Sequence, residues 1–130
     1  MDKVTTGAIE MTWDPDSRLA MIRFERETQA TGNDAIVLVQ ALTGWIGTDR
    51  KAFGLLGDGG KLSGLDAEYR SVWGGFLRQH RADCYVAFFN MNAIVRIAAE
   101  MFRIGTRLQL KAFASEPEAR SWLRDSGIPA

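Results

Sequence analysis

FGLLGDGGKLSGLDAEY, residues 53–69, holds the transition that decides the fold. The run KAFGLLGD (51–58) is short and nearly continuous in apolar character, which suits a strand buried on both faces, although Gly54 and Gly57 weaken a strand interior. Asp66 then reads as a helix N-cap, and Tyr69, Val72, Trp73, Phe76, Leu77 and His80 recur on one face of the helix it opens. Gly74 and Gly75 in that helix should each cost ~1 kcal/mol relative to alanine, so either something packs very closely there or the helix bends.

The loop between them, GDGGKLSGLD, can cradle a phosphate, accept one covalently at Ser63, or simply turn a strand into a helix. A P-loop needs a Lys-Ser/Thr pair directly after its last glycine at the head of a helix, whereas Leu62 separates Lys61 from Ser63 here. A dinucleotide fingerprint belongs after the first strand of a βαβ unit, and this loop comes later. A phosphate on Ser63 would stand just before a helix N-terminus with Lys61 close by, opposed by the like charge of Asp58 and Asp66. Asp58 also invites comparison with a receiver-domain aspartate, but no acidic pair follows the first strand to hold Mg²⁺, so it reads as a strand-end residue.

Working outward, AIEMTW (8–13) and RLAMIRFE (18–25) alternate in polarity about the turn Asp14-Pro15-Asp16-Ser17, which predicts an opening β-hairpin. Thr31 and Asp34 form a capping box before Ala35, Leu38, Val39, Leu42 and Trp45 at helical spacing. CYVAFFN (84–90) is a buried strand. A third helix follows to Gly105, then the strand RLQLKAF (107–113), and a last helix capped by Ser115 and Glu118. The order β-β-α-β-α-β-α-β-α predicts one α/β domain over residues 1–130, a single mixed sheet with helices mostly on one face.

The bulk composition excludes whole classes of function. With 16 basic and 16 acidic residues the net charge is zero, and Lys51, Lys61, Arg70 and Arg78 form no stripe, so nucleic acid is not an expected partner. One cysteine, Cys84, and one histidine, His80, leave no intramolecular disulfide and no Cys/His zinc cage, and nothing near His80 resembles an activated nucleophile. The expectation is a protein that is no enzyme and needs neither metal nor cofactor. No apolar run approaches the roughly 20 residues of a membrane span, and MDKVTTGAIEM has no signal-peptide core, so a cytoplasmic location is expected.

Two local patterns carry a resemblance. FASEPEARSWL (113–123) looks like an F-x-S-x-x-E-A-x-x-W-L ending through Phe113, Ser115, Glu118, Ala119, Trp122 and Leu123, and Ser63-Gly64-Leu65 looks like the S-G-L of a phospho-switch loop. With the element order, they make the chain resemble the STAS superfamily, in particular SpoIIAA-like (anti-sigma-factor antagonist) proteins. Where those carry D-S-S-G-L, this chain has Lys61 and Leu62 ahead of Ser63. The resemblance implies a small non-catalytic module that binds a protein partner, sometimes under control of a kinase, with some relatives associated with lipid or other small ligands.

The third helix, NMNAIVRIAAEMFRIG, has more apolar width than a core stripe needs, because Ile97 and Ile104 extend it sideways. That surface is either buried against sheet and neighbours or offered to a partner, a second copy or a lipid. The reading is therefore a cytoplasmic regulatory interaction module. Its contact candidates are Asp58, Lys61, Gly64, Leu65, Ile97 and Ile104, with Ser63 as phosphorylation candidate. The partner is a kinase or anti-sigma-like protein, or a second copy of the chain. The alternative is a small-molecule or lipid carrier with an apolar pocket between sheet and helices.

Overall fold

Alternation in the opening segments translates directly into burial: Ile9, Met11 and Trp13 are buried while Glu10, Thr12 and Asp14 between them are not. The structure, a computed structural model, describes residues 1–93, 96, 100, 103 and 107–130. Among these the order is β1 (Asp2–Thr6), β2 (Ile9–Asp14), β3 (Leu19–Phe24), β4 (Thr28–Ala30), α1 (Gly32–Ile46), β5 (Phe53–Asp58), β6 (Leu62–Leu65), α2 (Ala67–Gln79), β7 (Cys84–Phe89), β8 (Leu110–Phe113) and α3 (Glu116–Asp125). Ala93, Arg96, Glu100 and Arg103 are helical where the sequence places the third crossover, and Ile97 and Ile104 lie outside the described residues.

The main sheet runs β1-β2-β3-β5-β7-β8. Its first three strands pair antiparallel and the rest parallel, the mixed sheet expected from a hairpin followed by crossovers. Leu38 and Leu42 of α1 and Trp73 and Phe76 of α2 pack on one face with Met11, Ile22, Leu55 and Val86. Ala119 and Leu123 of α3 pack on the other with Met21, Leu56 and Ala87. The closing sequence pattern is thus a packing device. Ser115 caps α3 by accepting from the Glu118 amide, and the Trp122 ring lies 5.8 Å from Phe113 and 6.2 Å from Tyr85.

The structure adds two features that no periodicity announced. The strand β1, DKVTT, lies on the sheet edge with Asp2, Lys3 and Thr5 exposed. An edge strand needs only one partner and tolerates charge, so it carries no apolar alternation to read. β4 and β6 form a separate two-stranded parallel sheet, which lays part of the glycine-rich segment alongside residues 28–30.

Side chains fasten these parts together. The Asp34 carboxylate completes the predicted capping box with Thr31 and also accepts from Thr6 Oγ1 at 2.9 Å, joining β1 to the start of α1. At the opposite end Arg18, at the close of the hairpin turn, donates to the Ile46 carbonyl at 3.0 Å and the Ala52 carbonyl at 3.1 Å, with its guanidinium 5.6 Å above the Trp13 ring. Arg18→Met should therefore lower stability by about 1–2 kcal/mol in urea unfolding, because three charge-assisted hydrogen bonds, to the Ile46, Lys51 and Ala52 carbonyls, are lost at a half-exposed site; an unchanged midpoint would show the contacts to be idle. The Gly74-Gly75 question divides between its members. Gly74 is buried, whereas a Cβ on Gly75 would meet nothing within 4 Å. Gly75→Ala should raise stability by up to ~1 kcal/mol, read as a higher urea midpoint at constant m-value.

Candidate functional site

The chain leaving β5 is held in one conformation by backbone approach. Asp58 Oδ1 accepts from the Gly60 amide at 3.0 Å, and the Leu62 amide donates to the Gly59 carbonyl at 3.2 Å, which closes a tight turn. The turn then docks on the end of β7, where the Gly59 amide donates to the Phe89 carbonyl at 2.9 Å. A Cβ on Gly59 would collide with Met91 Cγ, and one on Gly60 would stand 2.8 Å from Asn90 Nδ2. Gly59 leaves no room for a side chain because it packs on Met91 down to the backbone, whereas at Gly60 the obstacle is the movable end of Asn90. On the other flank, the Thr28 amide donates to the Lys61 carbonyl at 3.0 Å and Lys61 Nζ donates to the Glu25 carbonyl at 3.2 Å.

β6 continues from this turn with its residues divided between inside and outside. Leu62 is buried and Leu65 packs against the core, while Ser63 is exposed. Thr28 pairs with Leu62 and Gln29 with Gly64, so Ser63 occupies the irregularity in the ladder. The N-cap of α2 is Asp66, as the sequence predicts, and its carboxylate already accepts from the Tyr69 amide at 2.7 Å. Ser63 thus stands three residues ahead of the cap, on a strand, rather than at the helix N-terminus.

At the carboxyl ends of β3, β5 and β7 lies a polar cleft of about 600 Å³. Asp58 and Lys61, both anticipated, line it together with Glu10, Arg23, Glu25 and Asn90, which sequence reading did not name as contact residues. The missing signal is register. Glu10 and Arg23 are the polar members of two alternating strands and become neighbours because β2 and β3 pair them directly across the ladder. Asn90 is marked only by its left-handed φ of +64°. Ser63, Gly64 and Leu65 do not line this cleft, and Leu65 faces a second space instead.

That second space is an apolar cavity of about 80 Å³ between the sheet and α2, bounded by Ile22, Leu55 and Val86 below and by Tyr69, Trp73 and Leu77 above. Burial pushes the Tyr69 phenol well above its usual pKa range, opposed in part by the Trp73 side chain. The buried indole N–H of Trp73 has no hydrogen-bond partner.

His80 and Cys84 are both used in packing. The His80 ring, at the C-cap of α2, lies 4.6 Å from Phe76 and 5.8 Å from Phe53, and burial lowers its pKa, helped by the Arg50 charge. Burial pushes the Cys84 thiol well up, the opposite of what a nucleophile needs. Among the described residues no group of three His, Cys, Asp or Glu side chains is placed to hold a metal ion, and no helix is long and apolar enough to cross a membrane.

Comparison with solved structures places this arrangement. An uncharacterized protein of the DUF3478 family from Shewanella loihica PV-4, described as having a SpoIIAA-like fold, matches with a TM-score of 0.68 at 18% identity, over 95% of this chain and 98% of that one. The chain has a SpoIIAA-like fold. No family model and no curated protein matches the sequence. In SpoIIAA-like terms, the S-G-L segment of this chain is the β6 strand of the small sheet, and the Phe113-to-Leu123 pattern is the β8–α3 closure.

A histidine whose folded pKa is depressed stays neutral in the native state and takes up its proton more readily when unfolded. Stability is then complete above the ordinary histidine pKa of 6.5 and declines as the pH falls below it toward the lowered folded value. His80→Gln should flatten the unfolding midpoint between about pH 7 and pH 5 relative to the natural chain; parallel midpoint-versus-pH curves would remove this role.

Proposed function

We propose that this chain is a non-catalytic cytoplasmic regulatory module of the SpoIIAA-like kind. It acts by binding a protein partner of the kinase or anti-sigma-like class through the rim formed by Asp58, Lys61, Ser63, Gly64 and Leu65. The observation that carries this reading is a hydrogen-bonded rim, exposed at Lys61 and Ser63, beside a cleft of mixed charge. Backbone hydrogen bonds to Thr28 and Phe89 hold the segment that presents Lys61 and Ser63. A preorganised rim loses little conformational entropy on association, and alternating charges give a partner its register. The packing roles of His80 and Cys84 support a non-catalytic module.

Ser63 suits the role of a switch acting on the surface rather than on the fold. A phosphate there adds roughly −1.5 to −2 charges beside Lys61. The Tyr69 amide is already satisfied by Asp66, so the new charge alters what a partner meets and leaves α2 capped as before. A lipid carrier is the second reading, and the cavity of about 80 Å³ argues against it, since pockets for drug-sized ligands occupy roughly 300–1,000 Å³.

Affinity capture from native cytosol, with mass analysis of bait and prey, tests the proposal. Lys61→Glu and Ser63→Asp should each weaken retention of the captured partner at least about tenfold, as expected for a like-charge clash in an interface. Ser121→Glu, exposed on α3 across the sheet, should leave it unchanged. Equal retention by the rim variants, or no partner held by the natural chain, would overturn the proposal.

A further inference from the structure

The outward face of α1 carries no charge. Among its 15 residues the sole charged one is Asp34, and that carboxylate is spent on Thr31 and Thr6. Asn33, Ile36, Gln40, Thr43 and Gly44 are exposed and Val37 is half-buried. Exposed positions of α2, by contrast, hold Glu68, Arg70 and Arg78, and those of α3 hold Glu118, Arg124 and Asp125. A helix face that meets only water ordinarily carries such charges. At 45% exposure Ile36 is also, apart from Met1, the only large apolar side chain exposed among the described residues.

Gly44 adds an independent observation. It lies in the last turn of α1, where glycine costs up to ~1 kcal/mol relative to alanine. Its φ is not in the left-handed region, and a Cβ there would meet nothing within 4 Å. Packing within one chain therefore gives no reason for a glycine at this position.

Ile36, Gln40 and Gly44 stand at intervals of four, which places them on a single ridge of the helix. Two copies of that ridge, run antiparallel about a twofold axis through Gln40, fit each other. Ile36 of each copy then lies over Gly44 of the other, where no side chain obstructs it. The two Gln40 amides meet at the axis, each able to donate and to accept. The ends match in charge as well. The Glu68 side chain occupies the space beside Gly32 at the N-terminal end of α1, and Arg50 follows the C-terminal end. Neither forms an ion pair among the described residues, and the antiparallel arrangement brings Glu68 of each copy toward Arg50 of the other.

We propose that the chain self-associates as a twofold dimer through α1, with Ile36 seated on Gly44 of the second copy. A contact of one helix from each copy is smaller than the roughly 1,200–2,000 Å² of a standard interface, so the dimer forms in the micromolar range. The proposal does not rest on the partner-binding reading, because no residue of this face belongs to the rim between Asp58 and Leu65.

Sedimentation equilibrium of the full chain between about 5 and 500 µM reads the association directly. The natural chain should fit a 14.4 kDa monomer in equilibrium with its dimer. Ile36→Glu should raise the dissociation constant at least about tenfold, since it presses an unpaired carboxylate into the contact. Gly44→Leu should do the same without lowering the urea midpoint of the monomer, because leucine favours the helix while blocking the seat of Ile36. Arg50→Glu should weaken the dimer about threefold, and adding Glu68→Arg should restore it. Ser121→Glu, exposed on α3, should leave it unchanged. The proposal fails if the natural chain stays monomeric up to about 500 µM. It fails equally if Ile36→Glu and Gly44→Leu dimerise as the natural chain does, or if Glu68→Arg brings no recovery to Arg50→Glu.

Discussion

The central constraint on this molecule is a strand with no face to spare. In β5 every residue from Phe53 to Gly57 is buried, so both sides of the sheet must be covered at that point. Phe53 and Leu55 turn toward α1 and α2, whereas Leu56 turns toward α3. Burying each large side chain contributes about 1.5–3 kcal/mol, and neither helix layer can be omitted without exposing part of that strand. The last helix therefore packs across the sheet from α1 and α2.

That constraint also positions the candidate site. β5 lies between β3 and β7, so its carboxyl end delivers Asp58 and the following glycines between the ends of two other strands. The glycine turn can then settle against Asn90 and Met91 on one side and the segment from Glu25 to Thr28 on the other. The polar cleft and the apolar cavity are consequences of the same geometry. One opens at the strand ends, where charged side chains leave the sheet, and the other lies beneath α2, where helix and sheet diverge. β6 borders the cavity, with Leu62 and Leu65 among its walls and Ser63 exposed to solvent.

Much of this was legible from residue pattern. The hairpin, the caps at Thr31, Asp66 and Ser115 and the doubly buried β5 and β7 follow from short-range rules: alternation, the three-residue reach of a capping side chain, and continuous apolar runs. The β4–β6 pairing was not legible, because parallel strands joined through a helix leave no local mark and Thr28–Ala30 is only three residues long. β1 escaped because an edge strand with exposed Asp2 and Lys3 has no alternation to detect. Asp58 and Lys61 were readable as a glycine-loop pair, but Glu10, Arg23 and Glu25 were not, since only strand register brings them alongside.

By itself the sequence determined the order of the helices and of the core strands, the helix caps and which residues avoid water, since each depends on side chains a few positions apart along one chain. The tertiary structure alone decided which sheet face α1, α2 and α3 cover, that Ser63 stands on a strand ahead of the α2 cap, and that the buried Trp73 indole N–H is left without a partner. These are outcomes of packing between segments distant in sequence. Whether a buried polar group finds a partner depends on what the rest of the chain brings to it, and no local pattern encodes that.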